Sequence, residues 1–238
     1  MRALLLAAGK GTRINKDIQG IPKCAVDVGG ITLIEHTINI LNNHNIRNIA
    51  MVIGYQGQYI ADLLANQEIK FFKNPFFDVT NSIASLWFAR DFLKSDESYI
   101  IMNADVFFET AMLEFIIDEE MNPVLWADQR RIDEADYRFY YENDKLLGHG
   151  KHLSNEETTG EYVGIAKVGA HFMQRFTDRM EELIQSQQHH LWWENILYSF
   201  IGETDIFVKS VGNNFWAEVD LIGDYQRILA FRQGKRVS

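Results

Sequence analysis

The first residues of this chain that could do chemistry form a glycine-rich loop directly behind an apolar run of strand length. The run and loop read Leu4-Leu5-Leu6-Ala7-Ala8-Gly9-Lys10-Gly11-Thr12-Arg13, and a third loop cation, Lys23, follows Pro22. Glycines let backbone N–H groups approach an anion closely, and flanking cations neutralise its charge. The loop therefore predicts a binding site for a polyphosphate.

Two common phosphate-binding motifs do not match this loop. A P-loop requires Gly-Lys followed by Ser or Thr, whereas Lys10 is followed by Gly11. A dinucleotide-binding fingerprint requires a third glycine where Ile14 stands, and no acidic residue is suitably placed about 20 residues further on. The polyphosphate site must therefore be of another kind.

Composition and charge narrow the class of protein. The chain has 238 residues, 47% of them hydrophobic, and no Pro-, Gly- or Ser-rich linker divides it, so we expect a single domain over residues 1–238. A net charge of -10 argues against nucleic acid as a partner, and no apolar stretch is long enough to span a membrane. The single cysteine, Cys24, suits a reducing compartment, and the short apolar start does not resemble a signal sequence. We therefore expect a cytoplasmic protein; its oligomeric state is left open, a homodimer included.

Strand-like and helix-like segments alternate through the first half of the chain. Strands are predicted at 2–7, 49–53, 69–72 and 99–102, and helices at 33–41, 58–64, 82–93 and 112–120. The second half adds strands at 123–126, 138–141, 145–147, 162–168, 206–211 and 215–218, and helices at 171–187, 191–200 and 221–232. This order predicts an α/β fold in three α/β/α layers, with a doubly wound, mostly parallel sheet and a small mixed β region in the second half. Ligands of such sheets bind beyond the carboxyl ends of the strands.

The glycine-rich loop and the Pro22-Lys23 pair resemble the signature loop of the nucleotidyltransferases that join a nucleoside triphosphate to a phosphorylated sugar or alcohol. The resemblance is carried by residues 4–13 and 22–23. It implies the nucleotide-diphospho-sugar transferase-like, Rossmann-like form of the predicted fold. It also implies a reaction in which a phosphate oxygen of the acceptor attacks the α-phosphorus of the triphosphate and expels pyrophosphate.

The resemblance assigns four catalytic residues. Arg13 would clamp the phosphates that the loop N–H groups cradle, and Lys23 would stabilise the charge that develops at the α-phosphate. Asp105 and Asp220 each follow a short apolar segment, and the corresponding pair in the family holds the Mg²⁺ that bridges the phosphates, so both are assigned as metal ligands. From the residues alone, either aspartate could instead be a helix N-cap. Glu218 is a reserve carboxylate on the same face of an extended segment as Asp220.

The predicted nucleotide-binding residues come from the loop, from a helix start rich in Asn and Ser that suits a pyrimidine edge, and from the end of the fourth strand. They are Leu6, Ala7, Ala8, Gly9, Gly11, Thr12, Arg13, Lys23, Asn81, Ser82, Ser85 and Asn103. Asn81 or Ser82 could also serve simply as a helix cap. Asn103 and Ala104 replace the Gly or Asp that family members commonly carry there, so no second metal ligand is assigned at this point.

The layout of the chain is similar to that of small, single-domain cytidylyltransferases that activate phosphocholine and related phospho-alcohols or phosphonates. The stretches that carry this likeness are Asn81-Ser82, Gly148-His149-Gly150-Lys151, 160–165, Trp192-Trp193-Glu194-Asn195 and Glu218-Val219-Asp220. The likeness implies CTP as the triphosphate and a phosphorylated small molecule as the acceptor. If the acceptor carries an amine, aromatic faces and a carboxylate would receive it, although most aromatic residues of the chain must belong to the core. The acceptor-binding residues predicted on this basis are Lys151, Glu161, Tyr162, Trp193, Trp216 and Glu218.

Two other functions remain open at this stage. A sugar-1-phosphate nucleotidyltransferase using UTP or dTTP has the same chemistry, but many such enzymes carry a Gln followed by a Gly-Thr-Ala type base loop, which residues 81–85 do not match. A noncatalytic nucleotide-sensing domain would share the fold. Degenerate members of that kind tend to lose Arg13, Lys23 or one of the two aspartates, and all of these are present.

Overall fold

Nine strands form a central sheet and two form a small second sheet in the computed structural model, which describes residues 1–14 and 16–235. The strands are β1 (Arg2–Ala7), β2 (Asn48–Ile53), β3 (Ile69–Lys73), β4 (Tyr99–Asn103), β5 (Val106–Phe108), β6 (Val124–Asp128), β7 (Arg138–Glu142), β8 (Lys145–Gly150), β9 (Gly160–Val168), β10 (Phe207–Ser210) and β11 (Trp216–Glu218). The α-helices are α1 (Leu33–Asn43), α2 (Gly57–Leu63), α3 (Ser82–Phe88), α4 (Thr110–Asp118), α5 (Ala170–Gln185), α6 (Asn195–Tyr198) and α7 (Ile222–Arg232). Short 3-10 helices cover Lys23–Ala25 and Ile132–Glu134.

The central sheet has the strand order β3-β2-β1-β4-β9-β6-β10-β8-β7. The pairs β1–β2, β1–β4, β2–β3 and β6–β10 are parallel, whereas β9 runs antiparallel between β4 and β6, and β7 and β8 form an antiparallel hairpin. This confirms the predicted α/β fold with a mostly parallel sheet and a mixed region in the second half. The chain passes from β1 to β2 on one side, while β4 lies on the other side of β1. The carboxyl ends of β1 and β4 therefore flank the switch point at which such sheets bind ligands.

Strand β1 is buried on both faces of the sheet, as its unbroken apolar sequence predicts. Leu4 and Leu6 pack into a cluster with α3 and α5, and Ala3, Leu5 and Ala7 pack into a second cluster with α1 and α4. Side chains alternate between the two faces of a strand, so a run without polar residues suits only a strand covered by helices on both sides. The helices on both faces make the three predicted layers.

The small second sheet pairs β5 with β11 in antiparallel register, with Val106 opposite Glu218 and Phe108 opposite Trp216. A third apolar cluster, which includes Ile14, Phe107 and residues of α7, packs against it. The sequence predicts a strand at 215–218 but no strand at β5, which is only three residues long. This sheet is important for the site, because it joins segments that are more than 100 residues apart in sequence.

Two predicted helices are shorter than expected. The α-helix predicted at 82–93 ends at Phe88. The chain continues to Leu93 in turns in which the N–H groups of Ala89, Arg90, Phe92 and Leu93 bond to the carbonyl three residues back. The helix predicted at 191–200 is α-helical only over Asn195–Tyr198. The strands predicted at 138–141 and 145–147 form a hairpin, and its turn residues Asn143 and Asp144 both have positive φ angles, as a two-residue type I′ turn requires. No helix within the described residues is long and apolar enough to cross a membrane.

Candidate active site

A cavity of about 480 Å³ opens beyond the carboxyl ends of β1 and β4. Its wall includes most of the side chains that the sequence predicts for the site. These are Leu6, Ala7, Ala8, Gly9, Gly11, Thr12, Arg13, Lys23, Asn81, Ser82, Ser85, Asn103, Asp105, Lys151, Glu161, Tyr162, Glu218 and Asp220. The structure thus brings the predicted catalytic, nucleotide-binding and metal-binding positions to one place.

The glycine-rich loop folds over the side chain of Lys23. Gly11 has a φ of 60°, and a Cβ built on it would lie 2.8 Å from two carbon atoms of Lys23, so a side chain here would displace the lysine. Lys23 follows Pro22 and begins a short 3-10 helix. The restricted backbone of Pro22 and the helix together fix the position of the Lys23 backbone. Gly54, at the end of β2, leaves room for the carbonyl of Ala8. Gly11 and Gly54 therefore allow the loop to pack closely against Lys23 and against the end of β2.

The small second sheet brings the two predicted metal ligands together. The N–H of Val219 donates to the carbonyl of Asp105 at 2.8 Å, which continues the β5–β11 ladder to the two aspartates. Lys23 Nζ lies 3.1 Å from Asp105 Oδ2 and 2.8 Å from Asp220 Oδ1. Because one ammonium group contacts both carboxylates, the two are close enough to share one cation.

The ion pairs continue outward from Asp220 along the cavity wall. Arg13 lies 2.5 Å from Asp220 and 3.6 Å from Asp136, and Lys151 lies 2.8 Å from Asp136. Burial opposes the charge of Asp136, but the hydrogen bond and charge of Lys151 outweigh it and lower the pKa of this carboxyl. Arg13, Lys23 and Lys151 therefore each contact a protein carboxylate, and each could exchange that carboxylate for a phosphate oxygen.

Electrostatics around Lys23 favour its charged form. Burial opposes the positive charge, but the charges of Asp105, Asp220 and Glu218 outweigh it and raise the pKa of Lys23. Burial and the neighbouring charge of Asp105 raise the pKa of Glu218 well above its usual range. Burial also raises the pKa of the nearby Cys24 thiol to about 12, which is the behaviour of a small buried side chain rather than a nucleophile.

The residues around α3 are both structural and exposed to the cavity. Asn81 is the N-cap of α3, and its side chain accepts from the N–H of Ser82 at 2.8 Å, so the helix-cap interpretation holds. Ser82 Oγ accepts from the N–H of Trp193, and Ser85 Oγ accepts from Asn74 Nδ2 at 3.0 Å. All three predicted residues also line the cavity, so capping does not prevent contact with a ligand.

Contrary to the prediction that they bind the acceptor, Trp193 and Trp216 do not line the cavity. Trp193 is completely buried, and its Nε1 donates to Asn103 Oδ1 at 3.0 Å. Trp216 is 3% exposed, and its Nε1 donates to Asp128 at 2.8 Å. Both indole rings are core residues that hold neighbouring groups in place.

The cavity wall also contains residues that the sequence does not single out for this role. They are Phe77, Thr80, Asp136, Tyr137, Trp192, Glu194 and Tyr198. The stretch Trp192-Trp193-Glu194-Asn195 is among those that carry the family likeness, but sequence alone does not indicate which of two adjacent tryptophans faces the ligand. Asp136 lies in no motif, and we find no sequence signal for it.

The site fits a magnesium ion as far as its donor chemistry is concerned. Asp105 and Asp220 supply hard carboxylate oxygens, and Mg²⁺ typically takes one or two protein carboxylates while phosphates and waters complete its shell. Within residues 1–14 and 16–235, no group of three or more His, Cys, Asp or Glu side chains is arranged to hold a metal. A metal that binds here would therefore depend on the substrate for its remaining ligands.

The chain is similar in sequence and in fold to known proteins. A family profile described as "MobA-like NTP transferase domain" matches residues 3–186. The choline-phosphate cytidylyltransferase of Streptococcus pneumoniae is 23% identical over 230 residues, which cover 96% of this chain and 96% of that protein. The CMP-5'-(3-aminopropyl)phosphonate synthase of Streptomyces rubellomurinus is 31% identical over 118 residues, which are 48% of this chain and only 18% of that protein. A solved structure of a CTP:phosphocholine cytidylyltransferase from Streptococcus pneumoniae has a TM-score of 0.78 at 20% identity, covering 97% of this chain and 98% of that one, so the two share a fold.

Proposed function

This chain belongs to the MobA-like NTP transferase family, and from that premise we propose that it transfers CMP from CTP to a phosphorylated small alcohol or phosphonate and releases pyrophosphate. The single observation that supports a catalytic site is the run of ion pairs Asp105–Lys23–Asp220–Arg13 beside the glycine-rich loop. The choice of CTP rests on relatives whose names describe cytidylyltransferases.

In the proposed reaction, an anionic oxygen of the acceptor phosphate or phosphonate attacks the α-phosphorus of CTP. The bond from the α-phosphorus to the α,β-bridging oxygen breaks, and its electron pair leaves with pyrophosphate. The attacking oxygen is already deprotonated, so the protein has no proton to remove. Catalysis then depends on alignment of the two substrates and on neutralisation of charge.

The residues divide these tasks by position. The N–H groups of residues 9–12 cradle the terminal phosphates, and Arg13 exchanges Asp220 for phosphate oxygens. Lys23 is held under Gly11 and keeps its charge, so it stabilises the developing charge at the α-phosphorus. Asp105 and Asp220 would hold Mg²⁺, which when bound neutralises phosphate charge.

A panel of substrates tests the proposal. The protein is incubated with Mg²⁺ and CTP, UTP, dTTP, ATP or GTP, each with phosphoethanolamine, phosphocholine, 2-aminoethylphosphonate or glucose 1-phosphate, and pyrophosphate release is measured. We expect release with CTP and a phospho-alcohol or phosphonate, and none after chelation by EDTA. Preference for UTP or dTTP with the hexose phosphate would instead indicate a sugar nucleotidyltransferase, and no release throughout would indicate a noncatalytic domain.

Isosteric variants separate catalysis from folding. Asp105→Asn keeps the shape of the side chain but removes the charge that faces Lys23, and we expect turnover to fall at least a hundredfold. Asp178→Asn on the exposed face of α5 is the matched control and should have wild-type turnover. Equal turnover of the two variants would contradict the assignment of Asp105.

A further inference from the structure

We propose that the acceptor carries a primary ammonium group, which the buried carboxylates of the cavity wall, Glu161 and Glu194, receive. This inference rests on the proposed function, because the acceptor is defined by that reaction. It narrows the acceptor from any phospho-alcohol or phosphonate to one whose nitrogen can donate hydrogen bonds.

Glu161 is a buried carboxylate that lacks a full set of partners. It lies on β9, is 7% exposed and lines the cavity. Its Oε1 accepts from the N–H of Asp136 at 2.9 Å, whereas its Oε2 has no hydrogen-bond partner within residues 1–14 and 16–235. No lysine, arginine or histidine of the described residues forms a salt bridge with it. The charges of Arg131 and Arg227 act on Glu161 without forming a salt bridge with it. A buried carboxylate without a direct ion-pair partner is costly, so its presence on a cavity wall indicates a cationic ligand.

Glu194 is a second carboxylate of the same kind. It is 5% exposed, lines the cavity and, like Glu161, forms no salt bridge within the part of the chain that the structure describes. Asn103 Nδ2 is its side-chain donor, at a long 3.5 Å. Burial raises the pKa of both Glu161 and Glu194 to about 7, so near neutral pH an arriving cation would favour the charged form of each.

Aromatic rings lie near Glu194: burial and then the charge of Glu194 raise the pKa values of Tyr137, Tyr162 and Tyr198. The ring of Tyr137 lies 6.0 Å from Tyr198, 6.4 Å from Tyr162 and 5.2 Å from Trp192, measured between centroids. All four residues line the cavity, and the faces of aromatic rings attract cations. Among the described residues, Glu161 Oε2 has no hydrogen-bond partner, and the hydroxyls of Tyr162 and Tyr198 lie near Glu194 and Tyr137 without forming a hydrogen bond of good geometry.

The unpartnered oxygens distinguish between two kinds of nitrogen cation. A primary ammonium has three N–H donors and can satisfy several acceptors at once. A quaternary ammonium gains the same charge and aromatic contact but has no N–H, and it would leave these buried oxygens unsatisfied. Each buried acceptor left unpaired corresponds to about a tenfold loss of affinity or more. The geometry therefore favours the primary amine.

The phosphate-binding cations lie next to this pocket. The carboxylate of Asp136 pairs with Lys151 and Arg13, while its backbone N–H donates to Glu161. One residue therefore connects the cations that would bind the acceptor phosphate to the carboxylate that would bind its amine. This adjacency fits an acceptor in which a short alkyl chain separates the two charges.

A methylation series tests the proposal directly. The probes are 2-aminoethyl and 3-aminopropyl phosphates with zero to three N-methyl groups, together with neutral propyl and butyl phosphates. Dissociation constants are measured by calorimetry with the α,β-methylene analogue of CTP and Mg²⁺, and kcat/KM is measured with CTP. In at least one chain-length series, we expect the primary amine to bind at least tenfold more tightly than both its trimethylated and its neutral counterpart.

The outcomes separate this inference from the proposed function. Trimethylated or neutral acceptors that bind as well as the primary amines, or no binding by any probe, would overturn the inference. Amine-selective binding without pyrophosphate release would overturn the proposed reaction and leave the inference supported. Turnover without preference for the primary amine would support the proposed reaction and overturn the inference.

A pair of variants locates the amine site. Glu161→Gln should weaken binding of the primary amines at least tenfold while leaving the neutral alkyl phosphates and the KM for CTP unchanged. Glu156→Gln, an exposed residue just before the same strand, is the matched control and should retain the wild-type amine preference. An unchanged amine preference in Glu161→Gln would show that Glu161 is not the receptor.

Discussion

Replacement of Glu161 by glutamine should make the ligand-free protein more stable at pH 8. Burial is the main reason that the pKa of Glu161 rises from 4.5 to about 7. The N–H of Asp136 and the charge of Arg131 oppose this rise, and the charges of Asp128 and Asp224 add to it. Glutamine has the shape of the protonated side chain and can still accept from the N–H of Asp136, so the substitution removes the ionisation and little else.

The sign and size follow from the two pKa values. Below pH 4.5 the carboxyl is protonated in both the folded and the unfolded protein, and its ionisation has no effect on stability. Between pH 4.5 and 7 the unfolded chain loses the proton first, so the free energy of unfolding of the wild type falls by about 1.4 kcal/mol per pH unit. The accumulated loss is about 3 kcal/mol at pH 8, and the glutamine variant does not suffer it.

Urea unfolding of both proteins from pH 4.5 to 8.5, without ligands, measures this difference. Subtracting the two curves cancels every other titrating group, so the variant should be nearly equal to the wild type at pH 4.5 and about 3 kcal/mol more stable at pH 8. Glu156→Gln should follow the wild-type curve throughout. Parallel curves for wild type and Glu161→Gln, or a variant that is less stable at pH 8, would refute the argument that Glu161 is held in a destabilising site.

Three further predictions concern the loop. Lys23→Ala should lower kcat/KM for CTP at least a hundredfold because no other amine contacts both Asp105 and Asp220 among the described residues; normal specific activity with reduced stability would indicate a purely structural role. Gly11→Ala should lower stability by about 1–2 kcal/mol, since alanine disfavours a φ of 60°, and should also impair turnover because its Cβ displaces Lys23; unchanged kinetics would contradict this coupling. Cys24 should resist alkylation by iodoacetamide at pH 7.5 in the folded protein and react after unfolding in urea, as mass spectrometry can show; rapid labelling of the folded protein would contradict its burial.

The parts of the fold that sequence predicts are those set by long local patterns. Strand β1 is recognisable because a buried strand leaves an unbroken apolar run, and the loop behind it because glycines and cations occur together. Strand β5 is not recognisable, because Val106–Phe108 is too short to show a period and its partner lies more than 100 residues away. The meeting of Asp105 and Asp220 depends on that pairing, so sequence alone supports it only through the family resemblance.

The residues at the acceptor end of the cavity show a second limit of prediction from sequence. Trp192 lines the cavity and Trp193 is buried in the core, although the two are neighbours of the same type. The chain turns here without a regular period, so no pattern assigns a face to either ring. Glu194 and Asp136 are likewise placed by the packing of distant strands and turns, which residue types do not reveal.

The charges of the cavity suggest how one acidic chain can bind two anionic substrates. Asp105, Asp136, Glu161, Glu194, Glu218 and Asp220 line it, against the cations Arg13, Lys23 and Lys151. Each cation is paired with an aspartate, and under the proposed function phosphate oxygens would replace that partner. The aspartates released in this way would then be free to bind cations brought by the substrates. Glu161 and Glu194 form no salt bridge with a cation of the part of the chain that the structure describes. The carboxylates therefore select for positive charge that arrives together with phosphate, which is why we expect a zwitterionic acceptor rather than a simple phosphate ester.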